Sequence, residues 1–516
     1  MNEILSTSEY MAPQTSQLDH SAGPPTQGIS SASFVPESRL IRLFYENLHS
    51  AHPILVPASL FEKWNYPFYL RQVVKFIGSH YSVVLNNDIL HESTWVTLNG
   101  SSEKTPHMVQ ALLLYSTIMR ARNDVSRAES SLTQAINIAL DLGMHQEDFA
   151  TKYSEERGYE AESLRRTWWE LSIWEIYMAS LHEKVILRCS DVFSSVSLPC
   201  EESTYASLRF IPKPQCLASF RARVFAADEE VNLFSSFAYR IEAVRILARI
   251  LVLNSLPETQ HDHLQAVANT LVSWIHHLPQ QKIDIVDMYG NIDEMLFQAH
   301  FTIQYAAMLL HLPRSNIRPA FPDSIFSICP VTPVRLSPSL TRHVHDVKVI
   351  EASKKLSDLL SVRSDAKGYS PTVVFGSILC GLVQLVATAI HGSECYDHHQ
   401  NRVVLVLGCL KLLTAKWSLA QEAHFHLRKT AARIATNFTE YSPFEGPTTP
   451  GQDNQRPNMA SGEAAILPPI ENDAVNNSFS SRLLSEFVDP TCGDLFSPFP
   501  MTSSETLPGV PRHQVA

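Results

Sequence analysis

The stretch SLRRTWWELSIWEIYMASL, residues 163–181, decides the fold class of this chain. Its large apolar residues recur at steps of three or four, which places them on one face of an α-helix. They are Leu164, Trp168, Leu171, Trp174, Met178 and Leu181. Large apolar side chains at this spacing belong in a protein core. We therefore expect Leu164 and Trp168 to be buried, and Trp169, just off the face, to pack against another helix.

Two adjacent arginines, Arg165 and Arg166, fall outside the apolar face. The favoured interpretation is a solvated helix surface, on which an exposed charge adds little to stability. The alternative is a structural pair with buried carboxylates, and Glu162 can pair with Arg166 across one turn. Neither interpretation assigns a ligand to these arginines.

Helical spacing recurs along the middle of the chain, and we find no good run of alternating strand residues and no repeat of fixed period. The sequence therefore predicts an all-α fold, one large multi-helix domain over 37–440. Further helices are predicted near 126–143, 237–251, 264–274, 292–312, 343–363, 371–390, 402–418 and 419–438.

Local signals mark several helix ends. Ser126 and Glu129 have the spacing of a capping box, and Gly143 suits a helix stop. The pair His276 and His277 stands before a Leu-Pro step, where an imidazole can meet the free carbonyls of a helix end.

Polar and Pro-rich segments flank and interrupt the helical region. Residues 1–36 predict a disordered arm, and residues 441–516 predict a disordered acidic tail. The Pro-rich stretch 313–340 predicts a linker or surface loop.

Charge and cysteine content exclude several classes of protein. The net charge of −11 argues against a broad basic surface for nucleic-acid phosphates. The eight cysteines are scattered without a CxxC pair, which is typical of reduced thiols in an intracellular protein. The first basic residue is Arg39, so we expect no targeting peptide. The uncharged stretch 373–390 is interpreted as a buried core helix rather than a membrane span.

The motifs of common catalytic and metal sites do not occur. We find no GxxxxGK[ST], GxGxxG or GxSxG pattern, and His91-Glu92 and His182-Glu183 lack the second histidine of a metalloprotease. Histidine and cysteine are residue types that bind zinc, and four of them lie close together at His391, Cys395, His398 and His399. Their spacing matches no standard zinc site, so we interpret the segment as a polar loop between two helices. We therefore expect no enzyme activity and no catalytic, cofactor-binding or metal-binding residue.

Six segments in order resemble the fungal-specific transcription factor domain, the regulatory middle region of fungal zinc-cluster and zinc-finger regulators. The most specific of them is the Arg-Arg and Trp-Trp helix formed by Arg165, Arg166, Trp168 and Trp169. The six are RLIRLFYENLHSAHPILVPASLFEKW (39–64), ALLLYSTIMRARN (111–123), AINIALDLGMHQED (135–148), the opening stretch (163–181), VSLPCEESTY (196–205) and QYAAMLLHLPRS (304–315). The sequence departs from the family pattern after the Trp helix, where Leu181 to Lys184 replaces a Gly-Arg-Pro, and at Glu175, where an aspartate is more usual.

The resemblance implies a nuclear transcription regulator of fungal pathway genes, such as those of specialised metabolism. Its partners would be other regulators or coactivators, and it could form a homodimer or a heterodimer. The family's zinc ligands are absent, since residues 1–100 contain no cysteine. Either an upstream exon is missing or the regulator pairs with a DNA-binding partner, so DNA would be reached only indirectly or through a missing N-terminal module. The rival interpretations are a helical enzyme or ligand-binding protein, and an interaction scaffold.

The tail contains a candidate activation segment at 481–499, SRLLSEFVDPTCGDLFSPF. Acidic and apolar residues alternate there in the manner of disordered activation segments, which become helical in a partner's groove. The candidate contact residues are Leu483, Leu484, Phe487, Leu495 and Phe496. The alternative is a tail that serves only as a soluble spacer.

Overall fold

The helix predicted from 163–181 spans Gly158–Ala179 in the computed structural model, and it lies near the middle of an all-α array. The structure describes residues 35–82, 88–155, 157–182, 184–207, 210–223, 234–256, 261–319, 340–363, 365, 368–391 and 396–440. Within these ranges there is no β-strand, only two isolated bridges, Leu198 with Gln215 and Val286 with Ile292. The all-α prediction is confirmed.

Among the described residues, the N-terminal half of the array contains ten helices. They are α1 (Glu37–Phe44), α2 (Ala58–Phe61), α3 (Phe68–Ser79), α4 (Asp88–Gly100), α5 (Pro106–Ala121), α6 (Val125–Asp141), α7 (Phe149–Tyr153), α8 (Gly158–Ala179), α9 (Arg188–Asp191) and α10 (Glu202–Ala206). A π-helical turn, Tyr45–His49, continues α1.

The C-terminal half contains eight helices among the described residues. They are α11 (Leu217–Ala222), α12 (Ser236–Ser255), α13 (His261–His276), α14 (Glu294–His311), α15 (Arg342–Ser361), α16 (Thr372–His391), α17 (Tyr396–Thr414) and α18 (Ser418–Glu440). Seven of them occupy the positions predicted from helical spacing.

Helix α8 joins the two halves, because it contacts α5 and α6 on one side and α12 on the other. Helices α12, α14, α15, α16, α17 and α18 then pack in sequence, and α18 returns to touch α5. One hydrophobic cluster runs through both halves, from Ile41 to Leu427. The predicted tails, 1–36 and 441–516, lie outside the described residues apart from Val35 and Pro36.

The apolar helix α16 is a core helix of this array. It is the helix among the described residues that is long and apolar enough to cross a membrane, at Thr372–Ile390, but 83% of that window is buried inside the fold. A Cβ added to Gly376 would lie 2.4 Å from the ring of Phe301 in α14, and one added to Gly381 would lie 2.5 Å from Leu427 in α18. The two glycines therefore let neighbouring helices approach closely.

Some predicted helix ends need correction. The cap of α6 is Asp124, whose carboxylate accepts from the Arg127 backbone N–H, so the Ser126 capping box is wrong. An aspartate two positions upstream offers the same acceptor chemistry. Gly143 follows the helix with φ of +74°, as predicted for a stop. His277 Nδ1 lies 2.7 Å from the Ser273 carbonyl oxygen, which fits the predicted helix end.

The start of the Pro-rich stretch 313–340 is packed rather than loose. Arg314 closes the end of α14 by donating to the Leu310 carbonyl at 2.6 Å, and Ile317 is fully buried. The surface-loop prediction is therefore wrong for residues 313–317. Residues 320–339 lie outside the described ranges.

Buried neutral histidines make the stability of this fold depend on pH. Burial lowers the pKa of His49, His80 and His345 to about 4. A histidine whose pKa is lowered by burial stays neutral in the native protein. In the unfolded chain the same histidine has a pKa of about 6.5 and binds a proton below that pH. The stability that each histidine contributes is therefore complete above pH 6.5 and declines as the pH falls towards 4.

We expect His80→Gln to weaken this acid sensitivity. Each histidine accounts for about 2 kcal/mol of lost unfolding free energy between pH 7 and pH 5, so the variant should lose that much less than the wild type over the same interval. Urea melts at the two pH values measure the difference. His263→Gln, at an exposed position of α13, is the matched control and should keep the wild-type pH dependence. If the unfolding free energy of His80→Gln fell as much between pH 7 and pH 5 as that of the wild type, His80 would not be a source of the acid sensitivity.

Candidate functional site

The residues of the Arg-Arg and Trp-Trp helix surround a short buried turn of extended chain. This buried turn comprises residues 51–56, and it runs between α1 and α2 with every residue buried. Extended backbone in a core must find hydrogen-bond partners outside its own segment. The Ile54 carbonyl accepts from Ser163 Oγ at 2.5 Å and from Gln110 Nε2 at 3.2 Å.

Other elements complete the hydrogen bonding of the buried turn. Gln298 Nε2 in α14 donates to the Ala51 carbonyl at 3.1 Å. The Val56 N–H donates to the Tyr66 hydroxyl at 3.0 Å, and the Val56 carbonyl accepts from Tyr45 at 2.7 Å. Side chains from both halves of the helical array thus hold this turn in place.

Glu162, Arg165 and Arg166 form a buried ionic cluster on α8. Arg166 Nε donates to Glu162 Oε1 at 2.9 Å, and Arg165 Nη2 donates to Glu162 Oε2 at 2.9 Å. Arg166 is fully buried and Arg165 is 6% exposed, so the predicted solvated surface is wrong and the alternative of a buried pair is right. The reason is that α8 is buried on all sides.

Arg166 also reaches across to the segment that follows the Trp helix. Its guanidinium pairs with Glu202, donates to the Cys200 carbonyl at 3.0 Å, and lies 4.0 Å from the centre of the Tyr205 ring. Burial opposes ionisation of Glu162, yet Arg166 and Arg165 hold the pKa of its carboxyl below its usual value. The cluster is therefore charged and mutually compensated.

A second buried ionic cluster lies one turn further along α8. Glu170 accepts from Arg240 of α12 at 2.5 and 2.9 Å, and its Oε1 lies 2.7 Å from His52 Nδ1 in the buried turn. Burial opposes ionisation of Glu170, but Arg240 and then His52 bring the pKa of its carboxyl to about 2. These residues connect three distant parts of the chain.

The two tryptophans are structural. Trp168 is 1% exposed and donates from Nε1 to Ser194 Oγ at 2.9 Å, while Trp169 donates to the Ser197 carbonyl at 3.0 Å. Both indoles thereby fix the segment that crosses α8. The predicted burial of Trp168 and Leu164 is confirmed, although Leu164 belongs to a small separate cluster with Ala150 and Ala161.

A cleft with a volume of about 230 Å³ opens beside the Glu162 cluster. Polar side chains line it, among them Glu162, Glu201, Thr204, Lys213 and Ser235. Cys200 also faces it, and burial followed by the charge of Glu162 raises the pKa of that thiol to about 12. The thiol is therefore protonated at neutral pH and lacks the thiolate that nucleophilic chemistry requires.

No group of three or more His, Cys, Asp or Glu side chains within the described ranges could hold a metal ion. His399 lies in the first turn of α17 and contacts Gln384 Oε1 at 2.7 Å, and Arg402 donates to His398 at 3.2 Å. These two histidines are helical, so the predicted polar loop is wrong for them. The side chains of His391 and Cys395, and the whole candidate activation segment, lie outside what the structure describes.

Sequence reasoning missed the buried polar residues that bind the turn and form the second ionic cluster. Gln110, Glu170 and Arg240 stand among apolar residues in their helices, and this is a recognisable sign of buried polar groups. Their partners lie 53 or more residues away along the chain. No local pattern connects residues at that separation.

Comparisons with known proteins show which family this sequence is similar to. Residues 41–278 match the family model described as the fungal specific transcription factor domain. A protein of Pestalotiopsis fici named C6 finger domain transcription factor iacK is 26% identical over 402 residues, which cover 77% of this chain. The aligned region spans 59% of the length of that relative. No solved structure matches the chain.

Proposed function

Residues 41–278 belong to the fungal-specific transcription factor domain family, and from this premise we propose that the chain regulates transcription of fungal genes in the nucleus. The supporting observation is that the motif residues Arg165 and Arg166 form one buried ionic cluster of α8 with Glu162. The guanidinium of Arg166 also pairs with Glu202 and donates to the Cys200 carbonyl. The motif residues therefore stabilise the helical fold, and we place the activity of the protein in contacts with other proteins instead of in a reaction.

The proposed partners are other transcription regulators and coactivators. The net charge of −11 disfavours binding to nucleic-acid phosphates over a broad surface, and residues 1–188 contain no cysteine that could serve as a zinc-cluster ligand. We propose that DNA is contacted by a partner or by a module beyond these residues. The cleft beside Glu162 is the place where a small polar effector would bind.

We also propose that the tail activates transcription. Leu483, Leu484, Phe487, Leu495 and Phe496 provide apolar groups, while Glu486, Asp489 and Asp494 keep the segment soluble until a partner buries those groups. Target genes of specialised metabolism are part of the same proposal, through the family resemblance.

We expect residues 471–516, fused to a foreign DNA-binding domain, to activate a reporter gene. Replacing Leu484, Phe487, Leu495 and Phe496 together by Ala should abolish reporter activity at unchanged protein level, because the partner's groove loses its apolar contacts. The matched control replaces Ser480, Ser481, Ser485 and Thr491 by Ala and should activate normally. An inert wild-type fusion would reject the activation role, and it would favour a spacer tail on a ligand-binding or scaffold protein.

A further inference from the structure

A second cleft lies between the C-terminal end of α5 and the first half of α18. Its volume is about 640 Å³, and its walls include Arg122 from the end of α5 and Gln421, Phe425 and Arg428 from α18. Phe425 is 63% exposed although it stands in a long helix with a buried side. A large aromatic ring that is exposed to solvent at a concave site is typical of a surface that binds another polypeptide segment.

The exposed surface of α18 is basic, in contrast to the acidic chain as a whole. Over residues 418–434 the helix carries Arg428, Lys429 and Arg433 against one acidic residue, Glu422. All three basic side chains are exposed. The opposite wall adds Arg122, which forms a salt bridge from its Nη2 to Asp88 Oδ1 at 3.1 Å. The cleft is thus mostly polar, with one exposed aromatic ring, Phe425, and two arginines against the single acid Glu422.

His424 lines the same cleft without adding to its charge. Burial first, and then the charges of Arg428 and Lys411, lower the pKa of this imidazole. A histidine with a lowered pKa is neutral at pH 7. The positive charge of the cleft therefore comes from Arg122 and Arg428, with Lys429 next to it on α18.

We propose that segment 481–499 of the same chain docks in this cleft. The segment carries Glu486, Asp489 and Asp494 against a single Arg482, and it places Phe487 between the first two of these acids. Phe487 and its neighbouring leucines would pack beside Phe425, with the carboxylates facing Arg428 and Lys429. A second copy of the basic helix fits less well, because like charges would meet.

The length of the chain supports docking within one molecule. Phe425 stands 15 residues before the end of α18 at Glu440, a distance of about 22 Å at a rise of about 1.5 Å per residue. The 41 residues from 441 to 481 have a root-mean-square span of about 35 Å if they follow random-chain statistics. A tether of this size gives an effective concentration of about 1 mM. A segment with a peptide Kd of about 100 μM would then be docked about 90% of the time.

The test places the photo-reactive residue p-benzoylphenylalanine at position 425 of the full chain. Phe68 at the start of α3 is the matched control, since it is 67% exposed and far from α18 in sequence. Mass spectrometry of the cross-linked products, with isotope-labelled and unlabelled copies mixed, separates links within a molecule from links between molecules. We expect at least fivefold more links from position 425 than from position 68 to residues 481–499, and within one molecule.

Charge variants make the test specific. The double variant Arg428→Glu, Lys429→Glu should lower the yield of cross-links at least fivefold. Arg39→Glu, at an exposed position of α1, should leave the yield unchanged. Adding Glu486→Lys and Asp489→Lys to the first variant restores the opposite charges and should recover the links. Circular dichroism confirms that each variant is folded. Links between molecules, links to other segments or no links would each overturn the proposal.

The docking proposal goes beyond the proposed function, and it can fail independently. The cross-linking yield reports contact between the segment and α18, whether or not the segment activates transcription. A positive cross-linking result with an inert reporter fusion would keep the docking site and reject the activation role. The reverse pair of results would reject only the docking site.

Discussion

Arg166→Ala should lower the free energy of unfolding by about 3–5 kcal/mol, because it removes one partner from a buried ionic cluster. Glu162 is 1% exposed and would keep a charge with its strongest partner gone. The Pro53 and Cys200 carbonyls would each lose a donor, at 3.5 and 3.0 Å respectively. Arg166 thus supports the buried turn and the segment after α8 at the same time. Denaturant melts followed by circular dichroism measure the loss.

The neighbouring arginine is the matched control. Arg165 is 6% exposed, and it pairs with Glu162, whose charge Arg166 also compensates. We expect Arg165→Ala to cost less than Arg166→Ala, and Arg39→Ala on the surface to stay within about 0.5 kcal/mol of the wild type. Glu162→Gln combined with Arg166→Met should lose less than the sum of the two single changes, because neither partner is left charged. Equal losses for Arg165→Ala and Arg166→Ala would contradict the arrangement.

The outcome for these arginines shows what helical spacing can and cannot reveal. The spacing correctly identified Trp168 and Leu171 on one buried face, since a helix repeats its contacts every three or four residues. It also suggested that the opposite face meets water, which holds only for a helix with one packing partner. The second side of α8 meets the buried turn and residues 199–205, which lead into the short helix α10. Such contacts between segments far apart in the chain leave no periodic signal.

The helices of the C-terminal half could be predicted because their packing is mostly local. Within α12 to α18, the main contacts join helices that are one or two positions apart in the chain. Pro313 correctly marked the end of α14, which lies at His311. The cleft between α5 and α18 could not be predicted, because its two walls are about 300 residues apart in the chain and meet only when the array closes.

Trp168→Ala should cost about 3–5 kcal/mol of unfolding free energy, the range for removing a large aromatic ring from a packed core. The indole is 1% exposed, and its Nε1 donates to Ser194 Oγ at 2.9 Å. The substitution therefore creates a cavity and also removes a hydrogen bond from the segment that crosses α8. Trp168→Phe keeps most of the ring volume and should lose less.

Two further variants separate the cavity from the hydrogen bond. Ser194→Ala removes only the acceptor and should cost about 1 kcal/mol, while Trp168→Ala combined with Ser194→Ala should be close to Trp168→Ala alone, because the bond is already lost. Urea melts of all four variants decide the matter. If Ser194→Ala cost as much as Trp168→Ala, the hydrogen bond would dominate and the ring would not be the main support of this part of the core. We expect the ring to dominate, since removing it withdraws far more apolar contact area than a single hydroxyl provides.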